Sequence, residues 1–209
     1  MNRVQDHQKL YRVSPINGKW TGVLLRDEPS VDGAWFDKLA PLHVLQRKDP
    51  ASSAYIELQE DEQGFTHLAY YQNISSRLPT EWLTKGPWEV TELSSFDVAK
   101  ETVYFMSTEE GSTQRHLYAI SLTAREKKRL TPLANAESTH TAVPYKTFIE
   151  SESKDVTGFY SVSFSPLAEW FVLSYQGPDV PWQKIVSTSK GRRLLMIIFV
   201  VTEWLKMMH

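Results

Sequence analysis

Cysteine is absent from this 209-residue chain, which excludes a disulfide framework, a thiol nucleophile and a Cys-ligated zinc. The compartment stays open on that ground, because many secreted proteins also manage without cysteine. A surplus of charge is missing too: 23 Lys and Arg stand against 25 Asp and Glu, a formal net charge of -2. A nucleic-acid backbone is bound by clustered basic residues, so no nucleic-acid partner is expected. The basic run Arg125 to Arg129 (REKKR) has no aromatic interleaving and reads as a solvated hairpin turn.

Long apolar runs are equally scarce. The N-terminal MNRVQDHQKLYRV lacks the apolar h-region of a signal peptide, so the chain taken literally would be cytoplasmic. Leu194 to Val201 (LLMIIFVV) is short of the roughly 20 residues that span a bilayer, and no membrane segment is expected.

Catalytic signatures are also missing. No Gly-x-Ser-x-Gly elbow, P-loop or His-Glu-x-x-His occurs. The six histidines (His7, His43, His67, His116, His140 and His209) are scattered singly rather than spaced as ligands on one element. No catalytic residue, metal site or cofactor is therefore expected.

What is present is aromatic: seven Trp, nine Tyr and nine Phe, which suit strands and inter-sheet packing. No stretch sustains a helical period, and the reading is all-β. Phe159 to Phe164 and Trp170 to Tyr175 alternate with period two around Ser165-Pro166 and are closed by Gln176-Gly177-Pro178-Asp179. Residues 9–13 and 19–25 predict strands joined through Asn17-Gly18, a tight-hairpin signal. Further strands are predicted at 43–45, 54–58, 67–72, 102–108, 116–122 and 182–187, and a short extended pair at Trp35-Phe36.

One order of features occurs twice. A His-Leu-x-Tyr strand, a polar connection, Leu-Thr and an aromatic strand run from His67 through Leu83-Thr84 to Trp88-Glu89-Val90. They run again from His116 through Leu130-Thr131 to Tyr160-Ser161-Val162, after the polar insertion 134–157. A repeat of roughly 40 to 50 residues with about four strands is the pattern of propeller blades. A β-sandwich with coincidental Leu-Thr pairs is the alternative. His67 and His116 open equivalent strands, and a hydrogen bond at a blade edge is the role expected of both.

Several stretches together carry a resemblance: NRVQD (Asn2 to Asp6), GFTHLAYYQ (Gly64 to Gln72), WLTKGPWEV (Trp82 to Val90), Val103 to Thr108, RHLYAISL (Arg115 to Leu122) and Gly158 to Ser189. In order, they resemble the C-terminal half of the β-propeller of the dipeptidyl peptidase IV group of the prolyl oligopeptidase family, with fungal dipeptidyl aminopeptidases most similar. The resemblance implies a partial β-propeller, about half of an eight-bladed one, with four-stranded antiparallel blades and no closed ring. It assigns residues 1–189 to that domain and leaves 190–209 as an aberrant tail outside the family pattern, expected to reflect a gene-model error such as intron read-through.

In that family the propeller covers an α/β-hydrolase domain, and the two together release N-terminal X-Pro or X-Ala dipeptides with a Ser-Asp-His triad. Neither the triad nor the glutamates that hold the substrate amine match any residue here. The resemblance therefore implies a non-catalytic fragment, inactive alone, that lacks the hydrolase domain and takes peptide substrate only within the whole protein. Phe36, in GAWFDKLAP, resembles an aromatic that in the family's mammalian relative lines the substrate pocket, although Asp37 replaces the family's basic residue; the alternative is a core or surface aromatic. Family members travel the secretory pathway to the vacuole, a membrane anchor or the exterior. There Asn73-Ile74-Ser75 would be an N-glycosylation acceptor. Open blade edges predict oligomerisation or aggregation. The alternative reading is a free-standing propeller-like interaction module.

Overall fold

The computed structural model describes residues 4–30, 35, 42–45, 53–131, 158–178, 181–188 and 194–198. These residues build fourteen β-strands and, among themselves, no helix. Strands β1 (His7–Ile16) and β2 (Lys19–Pro29) pair as a two-stranded antiparallel sheet. Their turn residues Asn17 and Gly18 take φ of 51° and 75°, the pair of positive values a type I′ hairpin needs and Asn-Gly supplies at low cost.

The remaining strands form three four-stranded sheets, each in the order of the sequence. The first contains β3 (Leu42–Leu45), β4 (Ala54–Glu60), β5 (Thr66–Tyr71) and β6 (Glu81–Trp82). The second contains β7 (Val90–Asp97), β8 (Thr102–Ser107), β9 (His116–Ser121) and β10 (Lys127–Arg129). The third contains β11 (Tyr160–Phe164), β12 (Trp170–Tyr175), β13 (Trp182–Ser187) and β14 (Leu194–Ile198). An open up-and-down sheet of four strands, repeated along the chain, is a propeller blade. The all-β, partial-propeller expectation holds.

Two compact units are distinguished, residues 1–60 with 67–84 and residues 61–66 with 85–209. In the first, Tyr55 and Tyr71 stack at 4.2 Å and 5° in a core with Ala69, flanked by Leu42, Ile74 and Trp82. In the second, Tyr104, Met106, Leu117, Ala119 and Leu130 of one blade pack against Tyr160, Phe171, Leu173, Tyr175 and Val186 of the next. Strand β8 is buried on both faces, so it reads as an unbroken apolar run rather than an alternating one.

Several strands differ from the sequence reading. Strand β7 runs on to Asp97, with register shifts between Val90 and Glu92 and between Leu93 and Ser95. Each bulge inserts a residue and resets the period-two alternation, which conceals the strand in VTELSSFD. Lys127–Arg129 of the basic run form β10 instead of a turn. Leu194–Ile198, from the stretch expected to lie outside the family pattern, pairs antiparallel with β13.

Candidate functional site

The repeated motif resolves into one hydrogen-bonded device used twice. Thr84 Oγ1 accepts from the Leu68 backbone N–H at 2.9 Å and lies 3.1 Å from His67 Nδ1. Thr131 Oγ1 accepts from the Leu117 N–H at 2.9 Å and lies 3.1 Å from His116 Nδ1. Beside each, the backbone adds one more bond, Leu83 N–H to Leu68 C=O at 2.9 Å and Leu130 N–H to Leu117 C=O at 2.7 Å. The histidines, the threonines and the third-strand leucines Leu68 and Leu117 are buried, His67 and His116 both at 0% exposure. A threonine oxygen thus completes the ladder where the fourth strand ends, and each histidine sits behind it. This is the blade-edge role expected of both histidines.

The segment following the first latch is fixed by glycine. Gly86 has φ of 138°, and a Cβ there would lie 2.3 Å from the Trp88 indole Nε1. Both the dihedral and the contact exclude a side chain. This accounts for Gly86 within the Trp82 to Val90 signature.

Arg26 forms a second buried cluster. A register shift between Leu10 and Tyr11 makes β2 bulge, so Leu25 and Arg26 both turn inward in succession. The Arg26 guanidinium lies 2.5 Å from a Glu57 carboxylate oxygen, 2.7 Å from the Tyr71 hydroxyl and 3.5 Å from Glu28. It also covers the Tyr71 ring at 5.1 Å. Tyr71 in turn donates to Gln59 Oε1 at 2.7 Å. Burial opposes both charges. It leaves the Glu57 carboxyl above its ordinary range despite the nearby guanidinium, while Glu57 and Glu28 hold Arg26 firmly protonated.

The seam between the β7–β10 and β11–β14 sheets has polar ties at two places. At one, Arg115 N–H donates to Gly158 C=O at 3.1 Å and Tyr160 N–H to Arg115 C=O at 3.0 Å. At the other, Lys100 Nζ lies 2.6 Å from Asp97 Oδ2 and 3.2 Å from the Thr188 carbonyl. At the first of these ends the Tyr160, Tyr175 and Trp182 rings share one row of the sheet, with centroids 5.2 to 6.1 Å apart. Lys184, 6% exposed, holds its ammonium 4.1 Å from the Trp182 ring centroid, and burial lowers its pKa.

Of the residues singled out from the sequence, Phe36 lies outside the described residues. Asn73 is exposed in the turn after β5, where its Oδ1 accepts from Ser75 N–H at 2.8 Å and its C=O accepts from Ser76 N–H at 2.9 Å. The basic run is largely engaged: Lys127 pairs with Glu109 at 2.5 Å, and Arg129 pairs with Glu110 at 2.7 Å. Among the described residues no group of three or more His, Asp or Glu is placed to hold a metal ion. The Arg26 cluster carried no sequence signal beyond one arginine following Leu24-Leu25.

Blades closed by a Thr latch and packed through aromatic faces define a β-propeller domain. Residues 1–182 match the family described as Dipeptidyl peptidase IV (DPP IV) N-terminal region, and the chain belongs to that family. A probable dipeptidyl peptidase 4 of Aspergillus flavus is 34% identical over 200 residues, covering 94% of this chain and 22% of the relative. A probable dipeptidyl-aminopeptidase B of Emericella nidulans is 33% identical over 191 residues, covering 90% and 18%. The crystal structure of Porphyromonas gingivalis dipeptidyl peptidase 4 shares the fold, with a TM-score of 0.61 and 23% identity over 94% of this chain and 23% of that one. The chain spans about a fifth of the length of these relatives.

Proposed function

We propose that this chain is a non-catalytic propeller segment of a serine-type dipeptidyl aminopeptidase, and that the whole protein releases N-terminal X-Pro or X-Ala dipeptides from peptide substrates. The observation carrying this reading is the family match over residues 1–182, together with relatives named for dipeptidyl peptidase and aminopeptidase activity. Within the whole enzyme, Phe36 would contribute an aromatic wall to the substrate pocket.

The test begins with the flanking genomic DNA, translated in all frames, followed by expression of the complete reading frame. A dipeptidyl-proline chromogenic substrate should be cleaved by the complete protein and left intact by this chain alone. Flanks without further blades and without a Gly-x-Ser-x-Gly domain would overturn the reading.

The same proposal places the protein in the secretory pathway. Asn73 is exposed and its turn backbone is already set by the Ser75 and Ser76 bonds. Expressed behind a secretion signal in a eukaryotic host, the chain should gain one N-glycan at Asn73. An endoglycosidase should then increase its mobility on a gel, and Asn73→Gln should abolish that shift. Equal mobility with and without the enzyme would remove Asn73 as a modification site.

The two-stranded β1–β2 sheet exposes Tyr11, Val13, Ile16 and Trp20. Among the described strands β1 and β2 pair only with each other, and with this exposed apolar surface that supports the expectation that the isolated chain self-associates.

A further inference from the structure

We infer that His116 is an acid-operated catch on the seam between the β7–β10 and β11–β14 sheets, and that its protonation opens the seam before either sheet unfolds. The reasoning starts from the number of protons available. Gln114 Nε2 donates to the Glu110 carbonyl at 3.2 Å, which turns Gln114 Oε1 toward His116 Nε2 at 2.9 Å. An amide oxygen only accepts, so Nε2 carries the proton of the neutral ring and Nδ1 is an acceptor. Thr131 Oγ1 already accepts from Leu117 N–H, and its single hydroxyl proton points at Nδ1, 3.1 Å away.

A second proton on the imidazole must go to Nδ1. That nitrogen then donates where it accepted, and the Thr131 hydroxyl proton must turn away inside a site where Thr131 is 1% exposed and His116 is 0% exposed. One buried hydrogen bond is inverted and a charge is placed at the seam. The ring that receives the charge packs on Tyr160 at 5.4 Å. The residue before it, Arg115, carries the two backbone bonds that join the sheets at this end.

The charged groups around the imidazole oppose one another. Arg129 from β10 disfavours the imidazolium, Glu110 from the β8–β9 connection favours it, and those two are paired with each other at 2.7 Å. From the opposite sheet, β11 and β12 present the phenols of Tyr160 and, behind it, Tyr175. Beyond them β13 brings the Lys184 ammonium over Trp182, a further positive charge on that side of the seam. Burial, the largest influence, holds the His116 imidazole down to about 4, from an ordinary value of 6.5.

The direction follows by linkage. Between pH 6.5 and 4 an opened, hydrated His116 binds a proton that the closed one does not, so acidification favours opening. The contribution of closure is complete above pH 6.5 and is lost as the pH falls to about 4. Across that window the opening equilibrium should rise by about 80-fold.

Hydrogen exchange of the full chain, corrected for the intrinsic pH dependence of exchange and followed from pH 7.5 to 4, reads this directly. The amides of Arg115 and Tyr160 should lose protection steeply with falling pH while those of Val103 to Met106 in β8 keep theirs. His116→Asn places an amide oxygen near the Nδ1 position without a titrating group, and should flatten the profile to within a few-fold. An unchanged slope in His116→Asn, or simultaneous loss of protection in β8, would overturn the inference. Should that variant not fold, the wild-type imidazole can be titrated by NMR, where a midpoint near 6.5 would overturn it and one near 4 with concurrent seam opening would support it.

Discussion

Arg26→Leu is expected to destabilise the chain by about 3 to 5 kcal/mol, the largest effect of any single substitution considered. The guanidinium is 4% exposed, and Glu57, at 14%, has Arg26 as its salt-bridge partner. Removing the cation leaves a carboxylate that burial already disfavours, together with a Tyr71 hydroxyl that has lost its donor. Breaking a buried pair from one side costs far more than removing it whole, because the orphaned charge remains. Arg26→Leu combined with Glu57→Leu should therefore recover most of the loss, to within about 1 kcal/mol of the parent. Urea denaturation followed by tryptophan fluorescence checks both. A double variant as unstable as the single one would show that shape, rather than the stranded charge, sets the cost.

Thr131→Val should be the next most damaging, at about 2 to 4 kcal/mol. Valine fills nearly the same volume but offers no oxygen. The Leu117 N–H and His116 Nδ1 would both be left without their partner in a place where Leu117 and His116 are 0% exposed. Thr131→Ser retains the hydroxyl and loses one methyl, so it should cost only about 1 kcal/mol. Denaturation midpoints for the two variants separate the explanations: similar losses in both would assign the effect to packing, and a wide gap assigns it to the hydrogen bonds.

Much of the fold was legible because side chains report burial through their spacing. The Asn17-Gly18 hairpin, the central strands of each blade and the doubled His-Leu/Leu-Thr order all follow from local chemistry. The losses have equally local causes. Two bulges scramble the alternation of β7, and β10 is a three-residue strand made entirely of basic residues, so charge disguised it as a turn. Arg26 was invisible for a related reason. Only the bulge opposite Leu10 and Tyr11 turns it inward, and a bulge depends on the pairing of two strands rather than on either alone. The structure places two of the scattered histidines, His67 and His116, in the threonine latches. Their spacing suggested a shared edge role, while the donor and acceptor assignment at His116 required the position of Gln114.

The threonine latch also bears on how such a domain tolerates change. In both copies the latch binds the backbone of the third strand directly, so the fourth strand is located by one side chain rather than by a long ladder. That is why β6 needs only two residues and β10 only three. The connection entering the fourth strand is correspondingly free to vary, running from Gln72 to Thr80 in one blade and from Leu122 to Glu126 in the other. Anchoring of this kind separates where a blade ends from how the chain arrives there. Length variation among blades can then accumulate in those connections while the aromatic faces keep their registry.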